Sequence, residues 1–230
     1  HGVRYNVSVK SDCIRIREPG DPSVLILGAH DVRAPGVGEV LVEVAATAVN
    51  RADLLQRRGL YPAPPGAPSD VLGLEYAGTV IALGDGSRQR AVGDRVMGIV
   101  AGGAYARHVV VHERETLRVP ASLSLTDAAA IPEVFLTAWD ALFARARLAP
   151  GATLLVHAAG SGVGARAIGT ARGEAKLEAA LALGMTHGIV VDPTRPAFAD
   201  QTRARSTRGA GADVILDGIG AAYLEENLRA

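Results

Sequence analysis

Apolar positions recur with two different periods along this chain, and the change of period divides it near Ser124. Before that point short apolar runs set between turn residues read as strands. The runs are Cys13-Ile14-Arg15-Ile16-Arg17 and then 24–27, 39–44, 79–83, 95–100, 105–111 and 117–119. Gly-Asp-Gly at 84–86 and Gly93-Asp94 supply turn chemistry between them. Many short strands at this spacing predict a barrel or sandwich-like domain over 1–124.

From Ser124 onward the pattern is helical and strand-like in alternation. Thr126-Asp127 can cap a short helix through Ile131, which Pro132 ends. Over 133–148 the apolar set Leu136, Trp139, Phe143 and Ala146 recurs at helical spacing. Pro150-Gly151 then turns the chain into an apolar strand at 153–157, followed by Gly160, Gly162 and Gly164 and a helix-like Ala165-Arg166-Ala167-Ile168. Further on come a helix over 174–183, a strand over 188–191, a polar helix around 198–206, a strand over 212–216 and a helical stretch from Tyr223. Alternation of this kind predicts a mostly parallel sheet in a second domain, 125–230.

That second domain reads as incomplete. A strand–helix–strand unit needs about 30 residues, so the pattern predicts that a dozen or more residues are missing after Ile168, near residue 169. Too few strands follow for a six-stranded sheet, which predicts an absent C-terminal portion as well.

Charge narrows the function classes. Lys plus Arg and Asp plus Glu number 24 each, so no net field recruits nucleic acid or an anionic membrane. No apolar run approaches the roughly 20 residues that span a bilayer, and no leader pattern is present. These features predict a soluble cytoplasmic protein. Cys13 is the only cysteine, which excludes an internal disulfide and a thiolate-rich zinc site and predicts a buried inert thiol.

Strand, glycine turn and helix in that order are how a doubly wound fold presents backbone N–H groups to a dinucleotide pyrophosphate. Gly160, Gly162 and Gly164 give G-x-G-x-G, whereas Gly160, Gly162 and Ala165 satisfy the G-x-G-x-x-A spacing. In either register Gly162 and Val163 are expected to offer N–H groups to the pyrophosphate.

Several motifs, in order, resemble the zeta-crystallin-like quinone oxidoreductases, the zinc-free branch of the medium-chain dehydrogenase/reductase superfamily. They are Asn50-Arg51-Ala52-Asp53-Leu54, Gly59-Leu60-Tyr61-Pro62, Leu72-Gly73-Leu74-Glu75-Tyr76-Ala77-Gly78, Val92-Gly93-Asp94-Arg95-Val96, Ala129-Ala130-Ile131-Pro132-Glu133, Leu136-Thr137-Ala138-Trp139, the 157–164 stretch and Leu216-Asp217-Gly218-Ile219-Gly220. The resemblance implies an α/β chain: a GroES-like β-barrel-type domain, then a Rossmann doubly wound parallel sheet, here partial, with the cofactor in the cleft between them. It also implies a C-terminal segment returning to the first domain and a homodimer formed through a late Rossmann strand.

The resemblance assigns candidate residues. Zinc-dependent relatives place ligands where this chain has Asn50, Leu74 and Glu133, and an amide, a leucine and one carboxylate do not make a three-ligand zinc site, so no metal is expected. His108 and His112 read as a solvated strand face. The family alignment puts Ala159, Ser161 and Gly164 at the key places of the cofactor loop. Arg172 and Lys176, with no acid positioned to grip a ribose 2′-OH, point to NADPH rather than NADH. Thr137 and Asn50 match positions near the nicotinamide. Tyr61, protonated at neutral pH, can donate a hydrogen bond to a substrate oxygen as it gains charge. A second family tyrosine is Leu55 here, which removes any two-tyrosine relay. Asp53 and Glu75 read as structural hydrogen-bonding residues.

The function implied is NADPH-dependent, zinc-free reduction of a quinone or electron-poor enone, a small-molecule substrate, with no nucleic-acid or membrane partner. Enoyl-thioester or 2-alkenal reduction remains an alternative, as does a non-catalytic NADPH-binding module.

Overall fold

The computed structural model describes residues 8–157 and 166–230, which form two compact units, 1–133 and 134–230. The cofactor-loop residues Ala159, Gly160, Ser161, Gly162, Val163 and Gly164 lie outside the described residues. Among the described residues no helix is long and apolar enough to cross a membrane.

In the first unit a hairpin of β1 (Val9–Ile16) and β2 (Leu25–Val32) accompanies a five-stranded antiparallel sheet. The sheet's strands are β3 (Glu39–Ala46), β4 (Glu75–Leu83), β5 (Arg95–Ile99), β6 (His108–His112) and β7 (Thr116–Arg118), in the order β6-β3-β4-β5-β7. Successive strand residues point to opposite faces, and both are buried here: Val40, Val42, Tyr76, Val80, Val96, Val109 and Val111 belong to one cluster, and Val32, Leu41 and Ala82 to another. Gly78 in β4 is required by close approach, because a Cβ there would meet the Glu43 carbonyl oxygen at 2.1 Å. Register shifts in β3 flank this contact on both sides. A short helix, α1 (Arg51–Arg57), follows β3.

At the junction α2 spans Leu125–Ala128. Ser124, not Thr126-Asp127, caps it: its Oγ accepts the Asp127 N–H at 3.0 Å and donates to the Asp127 carboxyl at 2.5 Å. Next, α3 (Pro132–Trp139) runs into a π-helical turn, Asp140–Arg145. Leu142 and Leu148 are buried, while Leu136, Trp139 and Phe143 are exposed.

The second unit is a four-stranded parallel sheet in the order β10-β9-β8-β11. Its strands are β8 (Thr153–His157), β9 (Arg166–Ala171), β10 (His187–Val190) and β11 (Val214–Leu216), with α4 (Glu174–Ala182), α5 (Ala199–Arg205) and α6 (Leu224–Arg229) beside them. Every residue of β8 is buried, as expected of a parallel strand covered on both faces. Leu155 packs one way, with Ile168, Ile189, Val191, Phe198 and Tyr223. Leu154 and Val156 pack the other way, with Leu142 and Leu148.

Two expectations are corrected here. Residues 166–168 are strand rather than helix, and the second strand is present: β9 pairs with β8 from Thr153↔Arg166 to His157↔Thr170 and continues unbroken through Ile168 and Gly169. The helical propensity of Ala-Arg-Ala-Ile loses to burial between two neighbouring strands, since Ala167, Ile168, Thr170 and Ala171 are all buried. The stretch 158–165 that precedes β9 lies outside the described residues.

Candidate nucleotide and substrate site

In the first unit the candidate residues gather around the start of α1. Asn50 stands just before the helix in extended conformation, φ −102° and ψ 159°. Its Nδ2 donates to Glu75 Oε1 at 2.8 Å, and its backbone N–H donates to Asp53 Oδ2 at 2.8 Å. Glu75 Oε2 accepts the backbone N–H of Glu133 at 2.9 Å. Asp53 further accepts the Gly73 N–H and the Tyr105 hydroxyl, each at 3.2 Å. Gly73 has φ +101°, and a Cβ there would meet the Tyr105 backbone nitrogen at 2.6 Å, so this turn admits little but glycine.

Asp53 and Glu75 are both buried, at 2% and 1% exposure, and their oxygens are occupied by these donors, which makes them placers of Asn50. Burial, and then the Asp53 carboxyl beside it, pushes the Tyr105 phenol well above its ordinary range, so it stays a donor. Tyr105 escaped sequence reasoning because its partner lies 52 residues away. Tyr61 sits in the turn after α1, 44% exposed, and is not joined to this network.

Neither His108 nor His112 is a bare solvated residue. The His108 ring meets Ser11 Oγ at 3.2 Å, and His112 Nδ1 accepts the Arg114 N–H at 3.2 Å. Among the described residues no three His, Cys, Asp or Glu side chains are grouped to hold a metal.

In the second unit the carboxyl ends of β8, β9 and β11 form the edge outside which open α/β sheets bind ligands. Arg172 directly follows β9. Gly173 then precedes α4 without a side-chain cap, and Lys176 lies in the first helical turn. Both cations are exposed, without a partner among the described residues, and space above Gly173 is open. Two cations and uncapped N–H groups suit a phosphate, with Glu174 as the one opposing charge in that turn. Thr137 lies exposed on α3.

His157 ends β8, and burial holds its ring below the ordinary imidazole range against the opposing pull of Asn227 and Asp217. Unfolding frees the ring to take up a proton near its ordinary value of 6.5. Stability contributed by the neutral folded ring is therefore complete above about pH 6.5 and is lost as pH falls below it. Burial shifts His108 the same way. Urea unfolding free energies are expected to fall between about pH 7 and pH 5, with a smaller slope in His157→Gln.

Comparison with known proteins places these features in context. Residues 36–121 match the alcohol dehydrogenase GroES-like domain. The chain is 37% identical over 223 residues to a mycocerosic acid synthase-like polyketide synthase of Mycobacterium tuberculosis, an alignment spanning 92% of this chain and 10% of that protein. The chain thus spans at most about a tenth of the length of the curated relatives it matches.

Among solved structures, an NAD-dependent alcohol dehydrogenase is 35% identical, covering 95% of this chain and 74% of that one, with a TM-score of 0.83. The CurK enoyl reductase is 28% identical, covering 96% and 70%, with a TM-score of 0.83. An Escherichia coli quinone oxidoreductase complexed with NADPH is 30% identical, covering 95% and 69%, with a TM-score of 0.79.

Proposed function

Since the chain belongs to the medium-chain dehydrogenase/reductase superfamily of oxidoreductases, we propose that it binds NADPH and reduces an electron-poor quinone or enone without zinc. The observation that carries the cofactor choice is the end of β9. Arg172 and Lys176 stand there, with no acid at the strand's last residue, Ala171, to accept a ribose 2′-OH. Their roles are to hold the 2′-phosphate by charge-assisted hydrogen bonds. Ala159, Gly160, Ser161, Gly162, Val163 and Gly164 take the pyrophosphate in this reading.

When bound, the cofactor supplies hydride from nicotinamide C4. The chain's own residues orient and donate. Glu75 and Asp53 hold Asn50 so that its amide is presented beside the nicotinamide. Tyr61 donates its phenolic proton in a hydrogen bond to the substrate oxygen as that oxygen gains charge. Thr137 contacts the nicotinamide end. Leu74 offers no donor atom where zinc-dependent relatives hold a ligand, which supports chemistry by hydrogen bonding alone.

Enoyl-thioester reduction is the second reading, supported by the likeness to CurK enoyl reductase. NADPH oxidation by the full chain with small quinones, 2-alkenals and crotonyl-type thioesters separates the two. Fastest turnover of quinones or enones is expected. Exclusive turnover of thioesters favours the second reading, and tight NADPH binding without any turnover overturns both.

A further inference from the structure

Four elements of the second unit converge on one buried imidazole that the proposed reaction does not use. The His157 ring is 4% exposed, and its ring centroid lies 4.8 Å from that of Phe198 and 4.9 Å from that of Tyr223, both edge-on. Its Nδ1 is 2.9 Å from the Thr170 hydroxyl on β9, and its Nε2 is 2.6 Å from Asn227 Oδ1 on α6. Asn227 Nδ2 in turn donates to Asp217 Oδ2 at 3.0 Å, just past β11. Asp217 Oδ1 accepts the N–H groups of Ile219 and Gly220 at 2.7 and 2.9 Å.

The direction of this chain follows from its far end. Partial burial opposes ionisation of Asp217, but the Gly220 and Ile219 N–H groups and then the Asn227 amide hold its carboxyl below the ordinary range, so it only accepts. Asn227 must therefore turn its NH₂ to Asp217 and its carbonyl oxygen to His157. Nε2 then carries the ring proton, and bare Nδ1 accepts from Thr170.

We propose that His157, as the neutral Nε2–H tautomer, is a positioning residue that aligns the carboxyl ends of β8, β9 and β11 for the nucleotide. The inference rests on the nucleotide reading above. His157 and Thr170 are a paired register position near the ends of β8 and β9, and Asp217 begins the turn after β11. One directional chain of hydrogen bonds thus ties together the three strand ends that border the ligand edge. Arg172 is only two residues beyond Thr170, so a slip at the ring displaces the 2′-phosphate donors directly.

Long-range proton–nitrogen NMR of the ligand-free full chain is expected to show an Nε2–H ring. Titration with NADPH tests the positioning. In His157→Gln the side-chain amide still reaches Asn227, and the Kd is expected to stay within about threefold of wild type. In His157→Asn the shorter side chain loses that bond, and a rise of about tenfold in Kd and in KM for NADPH, with kcat retained, is expected. Loss of stability alone would lower Tm in both variants without separating their Kd values.

Should His157→Asn not fold, Asn227→Ala cuts the same chain from the helix side and is expected to show the same rise. An Nδ1–H ring, or wild-type NADPH affinity in the severed variants, overturns the inference while leaving the cofactor reading intact. A wild-type chain that takes up no NADPH overturns the cofactor reading and the inference together.

Discussion

Replacing Arg172 and Lys176 together by alanine is expected to raise the KM for NADPH by about 30- to 100-fold. The KM for NADH is expected to stay within about twofold. The two residues bracket the uncapped Gly173, one directly after β9 and one in the first turn of α4. A 2′-phosphate placed there gains two charge-assisted hydrogen-bonding partners, each worth about 1.5 kcal/mol or somewhat more, and every 1.36 kcal/mol is tenfold. Exposure and the neighbouring Glu174 keep the effect from growing larger. Steady-state kinetics with both cofactors at two salt concentrations is the measurement. Wild-type preference should shrink as salt rises, because exposed charges are screened. Equal efficiency with NADPH and NADH in the wild type, unchanged in the double variant, would remove the NADPH assignment and leave the fold untouched.

Glu75→Ala is expected to lower the unfolding free energy by about 3–5 kcal/mol. Glu75 is 1% exposed, and its two side-chain oxygens separately receive Asn50 Nδ2 and the Glu133 N–H. Truncation removes the Glu75 acceptor from both half-buried donors, at about 1–3 kcal/mol each, and adds the cavity vacated by the side chain. Glu75→Gln keeps one acceptor but turns an NH₂ toward the other donor, so about half the loss is expected. Urea unfolding of the full chain reads both values. In Glu75→Ala Asn50 loses its anchor, and turnover should fall further than folding alone explains. A Glu75→Ala chain as stable as wild type would mean that this network does not hold Asn50.

Much of the fold was legible because it is written in local periodicity. The apolar runs Val40-Leu41-Val42 and Val109-Val110-Val111 announce β3 and β6 without knowledge of their partners. The order of strands and helices after Ser124 likewise follows from where apolar runs change spacing. Asp53 and Glu75 were recognisable as hydrogen-bonding residues, because acids set between apolar neighbours are seldom buried unpaired. His157 carried a faint signal, a polar residue closing an apolar strand, but nothing nearby pointed to Asn227, 70 residues on.

Short apolar runs between turns, and the spacing of apolar residues after Ser124, are properties of neighbouring side chains and pointed to most of the strands and helices. Pairing across the chain settled the rest. Residues 166–168 are helix by propensity and strand in fact, since β8 and β10 supply the ladder and the burial that a local reading cannot weigh. The Asn50 site, too, exists only after folding. Its bonds join residues 25, 52 and 58 positions apart, and a hydrogen bond takes its meaning from the distance between partners in space rather than along the backbone.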